Sequence, residues 1–166
     1  MDIEKLKQLL DLKPLPVEGG LYSETYRSSD TLVPTALPQR YSGERRFGTA
    51  IYFLQTPDTF SAVHRLKSDE IYHFYLGDPV ELLLLREDGT GEIVTLGANI
   101  FGGMKQQVVV PHGMWQGSRL RPGGEFALLG TTMAPGFDFA DFELARRDSL
   151  LAGYPDFAKM ILGLTR

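Results

Sequence analysis

The chain has three histidines, and two of them share one block, His64-Arg65-Leu66-Lys67-Ser68-Asp69-Glu70-Ile71-Tyr72-His73-Phe74-Tyr75-Leu76-Gly77. Histidine titrates near neutral pH, and a carboxylate in apolar surroundings has its pKa raised. His64 and Glu70 could therefore orient a polar ligand, exchange protons with it, or supply two ligands to a metal. The plainer alternative makes His64 a satisfied core imidazole and pairs Glu70 with Arg65 or Lys67 at a strand end. The third histidine lies in Val110-Pro111-His112-Gly113-Met114-Trp115-Gln116, where it could point to a barrel mouth or to water. With no cysteine, disulfides, thiolate nucleophiles, zinc fingers and iron–sulfur clusters are excluded. No Gly-x-Gly-x-x-Gly, Walker loop, Gly-x-Ser-x-Gly elbow or His-Glu-x-x-His helix occurs, so the usual equipment for P-loop, serine-hydrolase and zincin chemistry is missing. Gly102-Gly103 reads as a turn. Gly43-Glu44-Arg45-Arg46 and Arg146-Arg147, with their acidic neighbours, read as solvated surface.

The elements that must hold these residues are mostly strands. Ile3, Leu6, Leu9 and Leu10, with Asp2 as N-cap, predict a helix over residues 3–12, which Lys13-Pro14-Leu15-Pro16 ends as a rigid connector. Residues 21–27 alternate as a strand would, with Tyr22, Glu24 and Tyr26 on one face. Residues 28–43 read as a surface loop. Period-two runs then predict strands at 49–54, 60–66, 70–76, 80–86, 91–96, 107–110, 116–120 and 126–133, and Asp88-Gly89 is the strongest hairpin signal. After Pro135 the pattern reverts to helix, with Pro155 at a first helical position and Phe157, Met160, Ile161 and Leu164 on one face. If Glu70 faces inward, Tyr72 and Phe74 follow; if His64 does, so do Ala62 and Leu66; Gln116 brings Ser118. His73, an odd number of residues from Glu70, needs a bulge to join them.

Composition bounds the class. A chain of 166 residues with 43% hydrophobic and 23% charged residues is one globular domain, residues 1–166. A net charge of -4 supplies no global basic field, so no nucleic-acid partner is expected. No apolar run approaches the roughly 18 residues of a bilayer helix, so no membrane partner is expected either. Met1-Asp2-Ile3-Glu4-Lys5 does not read as a secretory signal, which makes the cytoplasm the expected compartment.

His64, Glu70 and Gly77 fall on the first motif of the cupin superfamily, His-x-His, three or four residues, Glu, six residues, Gly. Leu66 replaces its second histidine, and Asp58 stands where an upstream glycine is usual. Pro111 and Gly113 match the second motif, Pro-x-Gly-x-x-His-x-x-x-Asn, but Gln116 replaces histidine and Leu120 replaces asparagine. Gly19-Gly20-Leu21-Tyr22-Ser23-Glu24-Thr25-Tyr26-Arg27-Ser28, His64 to Glu70, Val110 to Gln116 and Ala134-Pro135-Gly136-Phe137-Asp138-Phe139 resemble the DUF985 branch of that superfamily. The resemblance implies a mainly β fold, the double-stranded β-helix or jelly-roll barrel of RmlC-like proteins, usually dimeric, with no settled activity. It also implies a metal-ligand set of two histidines, a Glu and a third histidine. Here Leu66 and Gln116 take two of those places, and a carboxamide is a poor partner for iron, nickel or zinc. No metal and no cofactor are therefore expected.

The expectation is a cupin barrel over about residues 47–134, with a helix and strand within 2–28 and a C-terminal helical segment over 143–164. It should bind a small polar or aromatic metabolite in its mouth without metal, through His64, Glu70, Tyr72, Trp115, Gln116 and Ser118. If the chain is an enzyme, an epimerase or isomerase would use His64 as base, Tyr72 as acid and Glu70 to orient the imidazole. A metal-dependent enzyme and a packed interaction or storage module are the remaining alternatives. A homodimer is expected, with the strand over 21–27 covering a barrel edge from the partner.

Overall fold

The run Val80-Glu81-Leu82-Leu83-Leu84-Leu85 has almost no polar face, so a strand built from it must be covered on both sides. The computed structural model, which describes residues 2–166, covers it so. Leu82 and Leu84 enter the core between two sheets, while Leu83 and Leu85 lie under C-terminal helices. Along the chain run α1 (Ile3–Leu9), β1 (Lys13–Pro14), β2 (Leu21–Arg27), β3 (Thr31–Leu32), β4 (Arg45–Arg46), β5 (Thr49–Gln55), β6 (Phe60–Arg65) and β7 (Glu70–Gly77). They are followed by β8 (Val80–Leu85), β9 (Gly91–Leu96), β10 (Gln107–Val110), β11 (Trp115–Leu120), β12 (Ala127–Met133), β13 (Glu143–Leu144), α2 (Arg147–Gly153) and α3 (Ala158–Gly163).

One sheet has the order β1-β2-β5-β12-β7-β10 and the other β13-β6-β11-β8-β9, every pair antiparallel. The two face each other as a double-stranded β-helix. Phe53, Tyr72, Phe74, Val110 and Leu129 from the first sheet meet Val80, Leu82, Leu84, Leu96 and Leu120 from the second. Ile3, Leu6 and Leu10 of the N-terminal helical segment pack on Leu54 and Leu128 outside the first sheet. Leu150, Tyr154, Met160, Ile161 and Leu164 pack on Val63, Leu83 and Leu85 outside the second. Among the described residues no helix is long and apolar enough to cross a membrane.

Three stretches depart from the sequence reading. α1 stops at Leu9, and Asp11 turns the chain with a φ of 49. Residues after Met133 form an irregular strap with one 3-10 turn (Phe139–Asp141), and helix begins only at Arg147. The loop over 28–43 carries a buried Tyr41, whose hydroxyl donates to the Lys67 carbonyl at 2.9 Å.

The reading of Arg45 as solvated surface is corrected. Its Nε and Nη2 donate to Asp141 at 2.6 and 2.5 Å, and the side chains are 4% and 1% exposed. The local run of charge hid a partner far along the chain. This pair ties the strap to β4, helped by the Gly136 amide on the Arg46 carbonyl and the Phe137 amide on Thr49 Oγ1. Removing one member of a buried pair strands the other charge, so Asp141→Ala should cost about 3–5 kcal/mol in urea unfolding, and Arg45→Met with Asp141→Leu far less. Equal costs for the single and double variants would mean that apolar packing, not the stranded charge, sets the loss.

Candidate functional site

The site begins with an extra residue. On β11, Gln116 and Ser118 are two apart, yet their partners on β6, His64 and Ser61, are three apart. That β-bulge turns both Ser61 and His64 inward, which strict alternation forbids. Gly117 lies against it, where a Cβ would come 3.0 Å from Val63 Cγ2 and 3.1 Å from the Ser61 carbonyl oxygen. The bulge leaves the Ala62 backbone free of the ladder, and the site uses both groups. Its N–H donates to the Glu18 carbonyl at 2.9 Å, and its carbonyl accepts from His64 Nδ1 at 2.8 Å.

Glu18 enters from the β1–β2 connection. Val17 has a φ of 68, a strained conformation for a β-branched residue, and Gly19 has a φ of 105 with no room for a Cβ against the Phe60 carbonyl. The connection is thereby pressed onto β6, and Ser61 Oγ donates to Glu18 Oε1 at 2.6 Å. A second bulge, on β2, leaves Thr25 without a partner on β5, so Tyr22, Glu24 and Arg27 all face the same way.

Between the sheets these residues border a cavity that holds about 100 Å³ of water-accessible space. Glu18, Glu70, Tyr72 and Thr131 line it together with Leu66, Ile51 and Phe53; Phe137 and Phe139 of the strap and the Glu24–Arg27 ion pair complete it. Burial pushes Glu18 up to about 7, opposed by the Ser61 hydroxyl. Burial also pushes Glu70 up to about 7, with Glu18 adding to the rise and His64, Thr131 and Gln116 opposing it. The Tyr72 phenol is raised by burial and then by both carboxyls. His64 is lowered by burial, against the pull of Glu70 and the Ala62 carbonyl, and so stays neutral at pH 7.

The expected site residues divide into three groups. Glu70 and Tyr72 line the cavity. His64 and Gln116, each 1% exposed, and Ser118 are interior but stand outside the lining: His64 stacks on Phe142 at 5.0 Å, Gln116 Nε2 donates to Glu70 Oε2 at 2.8 Å, and Ser118 Oγ accepts from Gln55 at 2.8 Å. Trp115 faces the other way, packing with the C-terminal helices while the Arg65 guanidinium lies 4.5 Å from its ring centroid. Its neighbour Gln116 had already claimed the inward face. His73 lies on the outer face of β7, bonded to Thr132, and His112 is exposed beside Asp69. Arg65 pairs with Glu143, so Glu70 is no strand-end surface charge.

Sequence reasoning missed Glu18, whose only signal was a lone acid before two glycines in a proline-rich connector. It also missed Thr131, Glu24 and Arg27. The metal-ligand set implied by the resemblance does not fit. Leu66 has no donor atom, Gln116 offers only a carboxamide oxygen, a poor ligand for iron, nickel or zinc, and His64 Nδ1 is held by a carbonyl. Among the described residues no three His, Asp or Glu side chains converge on a metal-binding point.

Comparison with known proteins gives a consistent neighbourhood. Residues 4–145 match the model of the cupin superfamily family DUF985. The uncharacterized protein YML079W of Saccharomyces cerevisiae is 32% identical over 132 residues, 75% of this chain and 66% of its own length. The chain thus spans about two thirds of that relative. Protein SO0799 of Shewanella oneidensis superposes with a TM-score of 0.87 at 32% identity, covering 100% of this chain and 98% of the other. A hypothetical protein from Leishmania major gives 0.85 at 31%, covering 98% and 97%.

The raised carboxyls have a thermodynamic signature. Each binds its proton more tightly in the folded chain than at the ordinary value of 4.5, so its contribution is complete below that value and is lost as pH rises through about 7. His64, lowered by burial, acts in the opposite sense in acid. Glu70→Gln removes one proton-dependent group, so its melting temperature should gain on the parent from about pH 5 to 8, by at most roughly 3 kcal/mol in stability. Thermal melts across that range check it; a gap that does not change with pH would mean a solvated carboxylate.

Proposed function

The chain belongs to the DUF985 family of the cupin superfamily, and from that premise we propose that it binds a small molecule in the cavity between its sheets, without metal. One observation carries the reading. The cavity has an apolar and aromatic wall and carries two carboxyls, the buried Glu70 and the half-buried Glu18, beside the Tyr72 phenol. Apolar walls with a few convergent polar groups are what small-ligand sites present, and a packed interaction or storage module has no use for such an arrangement. The ligand contacts are Glu70, Tyr72, Glu18 and the aromatic strap. His64, Gln116 and Ser118 act from behind the wall, holding Glu70 and the bulge in position.

An epimerase- or isomerase-like proton transfer is the second reading, favoured by carboxyls that titrate near 7 next to Tyr72. In that case Glu18 or Glu70 would take the proton in place of His64, with Tyr72 as acid, because His64 does not reach the cavity lining. The homodimer stands as part of the proposal. Ile71, Tyr75 and Val109 on the outer face of the first sheet are left uncovered by α1, and Tyr75 and Val109 are 49% and 52% exposed. Light scattering should return twice the chain mass at micromolar concentration, and one chain mass throughout would remove the dimer.

A fragment screen by ligand-observed NMR tests the binding reading. Hits should lose about 1–3 kcal/mol of affinity on Glu70→Gln, the worth of a charge-assisted hydrogen bond, while the fold survives this nearly isosteric change. Hits that all bind Glu70→Gln and the cavity-filling Ile51→Trp as they bind the parent would move the ligand elsewhere.

A further inference from the structure

The inner end of the cavity has a surplus of acceptors. Glu18 already accepts a hydrogen bond from the Ser61 hydroxyl and Glu70 one from the Gln116 amide. Behind the wall, the other end of that amide, Gln116 Oε1, is buried with no hydrogen-bond partner. Among the described residues no ion pair includes Glu18 or Glu70. Arg27, the one cation in the lining, is held at the cavity edge by three hydrogen bonds to Glu24 of 2.9, 3.1 and 2.6 Å. Toward the outside, Tyr22, Phe137 and Phe139 present aromatic surface, and Phe53 adds a buried ring to the wall.

Two carboxyls without a counter-charge at the end of an aromatic sleeve define the chemistry that would complete them. Resting on the reading that this cavity binds a small molecule, we propose that its ligand is a small organic cation, a protonated amine on an apolar or aromatic body. The ammonium group sits between Glu18 and Glu70, and the body lies against the aromatic wall. An ammonium brings three donors and no acceptor, the complement of this inner end. It also brings the positive charge that buried carboxylates lack, and the aromatic faces attract its cationic head on entry.

Charge balance makes binding proton-linked. In the empty cavity burial favours the neutral acids, and an ammonium entering between them displaces a proton to solvent. The other titratable and charged groups around the pair do not reverse this. Tyr72 stays neutral, His64 behind Glu70 is kept neutral by burial, Glu24 and Arg27 cancel each other, and the Arg166 guanidinium is spent on the Val17 and Glu18 backbone carbonyls. Amine affinity therefore rises with pH through neutrality, until the amine itself loses its proton. A carboxylate ligand, which needs both acids protonated, shows the reverse slope.

Three probes of similar shape decide it: benzylamine, benzyl alcohol and benzoate, titrated calorimetrically into the full chain in buffers of different ionisation heat. At about pH 7.5 benzylamine should bind roughly tenfold tighter than benzyl alcohol, release a proton, and strengthen from about pH 6 to 8, while benzoate weakens. Glu18→Gln and Glu70→Gln should each remove most of the benzylamine preference, with melting curves confirming that the variants fold. If either fails to fold, the probe ranking and pH slopes of the parent decide alone. Benzyl alcohol or benzoate binding as tightly as benzylamine would overturn the cation and leave the cavity reading intact. Silence from all three would also overturn it; only failure of the fragment screen would remove the cavity reading as well.

Discussion

Two carboxyl groups set between the sheets, Glu18 and Glu70, with no ion-pair partner among the described residues, are the constraint around which this molecule is arranged. Moving an ionised carboxylate from water into a protein interior costs several kcal/mol even after relaxation, and among the described residues no guanidinium or ammonium pairs with either acid to offset it. Two compensations are visible. The acids keep their protons to about pH 7, and neutral donors surround them: Ser61 on Glu18, Gln116 and Thr131 on Glu70. Those donors are where they are because β6 carries an extra residue. Without the Ala62–Val63 bulge, Ser61 and His64 would point to opposite faces and the Ala62 N–H would be spent in the ladder instead of on the Glu18 carbonyl.

The same device recurs on the facing sheet. The Thr25 bulge puts Glu24 and Arg27 on the cavity side, where they satisfy each other, and Arg27 also reaches the Phe137 carbonyl at 3.4 Å. The strap bearing Phe137 and Phe139 is anchored beyond it by Arg45 and Asp141, an ion pair with almost no water to screen it. Inner polar floor and outer aromatic wall thus depend on separate anchors, one made of bulged backbone and one made of buried charge.

This arrangement explains how much was readable from sequence. Strand existence followed from period-two patterning, and Gly91–Leu96, Gln107–Val110 and Leu21–Arg27 have the bounds that patterning indicates. Glu70, Tyr72 and Phe74 share an inward face because β7 is regular there. Where the site departs from regularity, the sequence is silent: a bulge adds one residue without a distinctive residue type, so neither the joint orientation of Ser61 and His64 nor that of Glu24 and Arg27 follows from alternation. Glu18 was hidden because a connector has no periodicity at all. Arg45 was hidden because its partner lies 96 residues away, and a local charge run carries no information about that distance. Trp115 was misplaced for a simpler reason, since adjacent residues on a strand cannot both face inward.

The two substitutions that break the metal pattern also make sense together. Leu66 replaces a donor with apolar surface in the cavity wall, which lowers the local polarity and raises the cost of ionising Glu70. Gln116 replaces an imidazole with an amide that can grip a carboxyl without ever titrating, and its Nε2–H bond to Glu70 Oε2 holds that side chain in one orientation whether or not the acid is protonated. The places that the superfamily motif gives to metal ligands thus surround, in this chain, a carboxyl that keeps its proton to about pH 7. The distinction is one of charge: a bound metal fixes its charge across the physiological range, whereas a carboxyl poised near 7 changes charge within it.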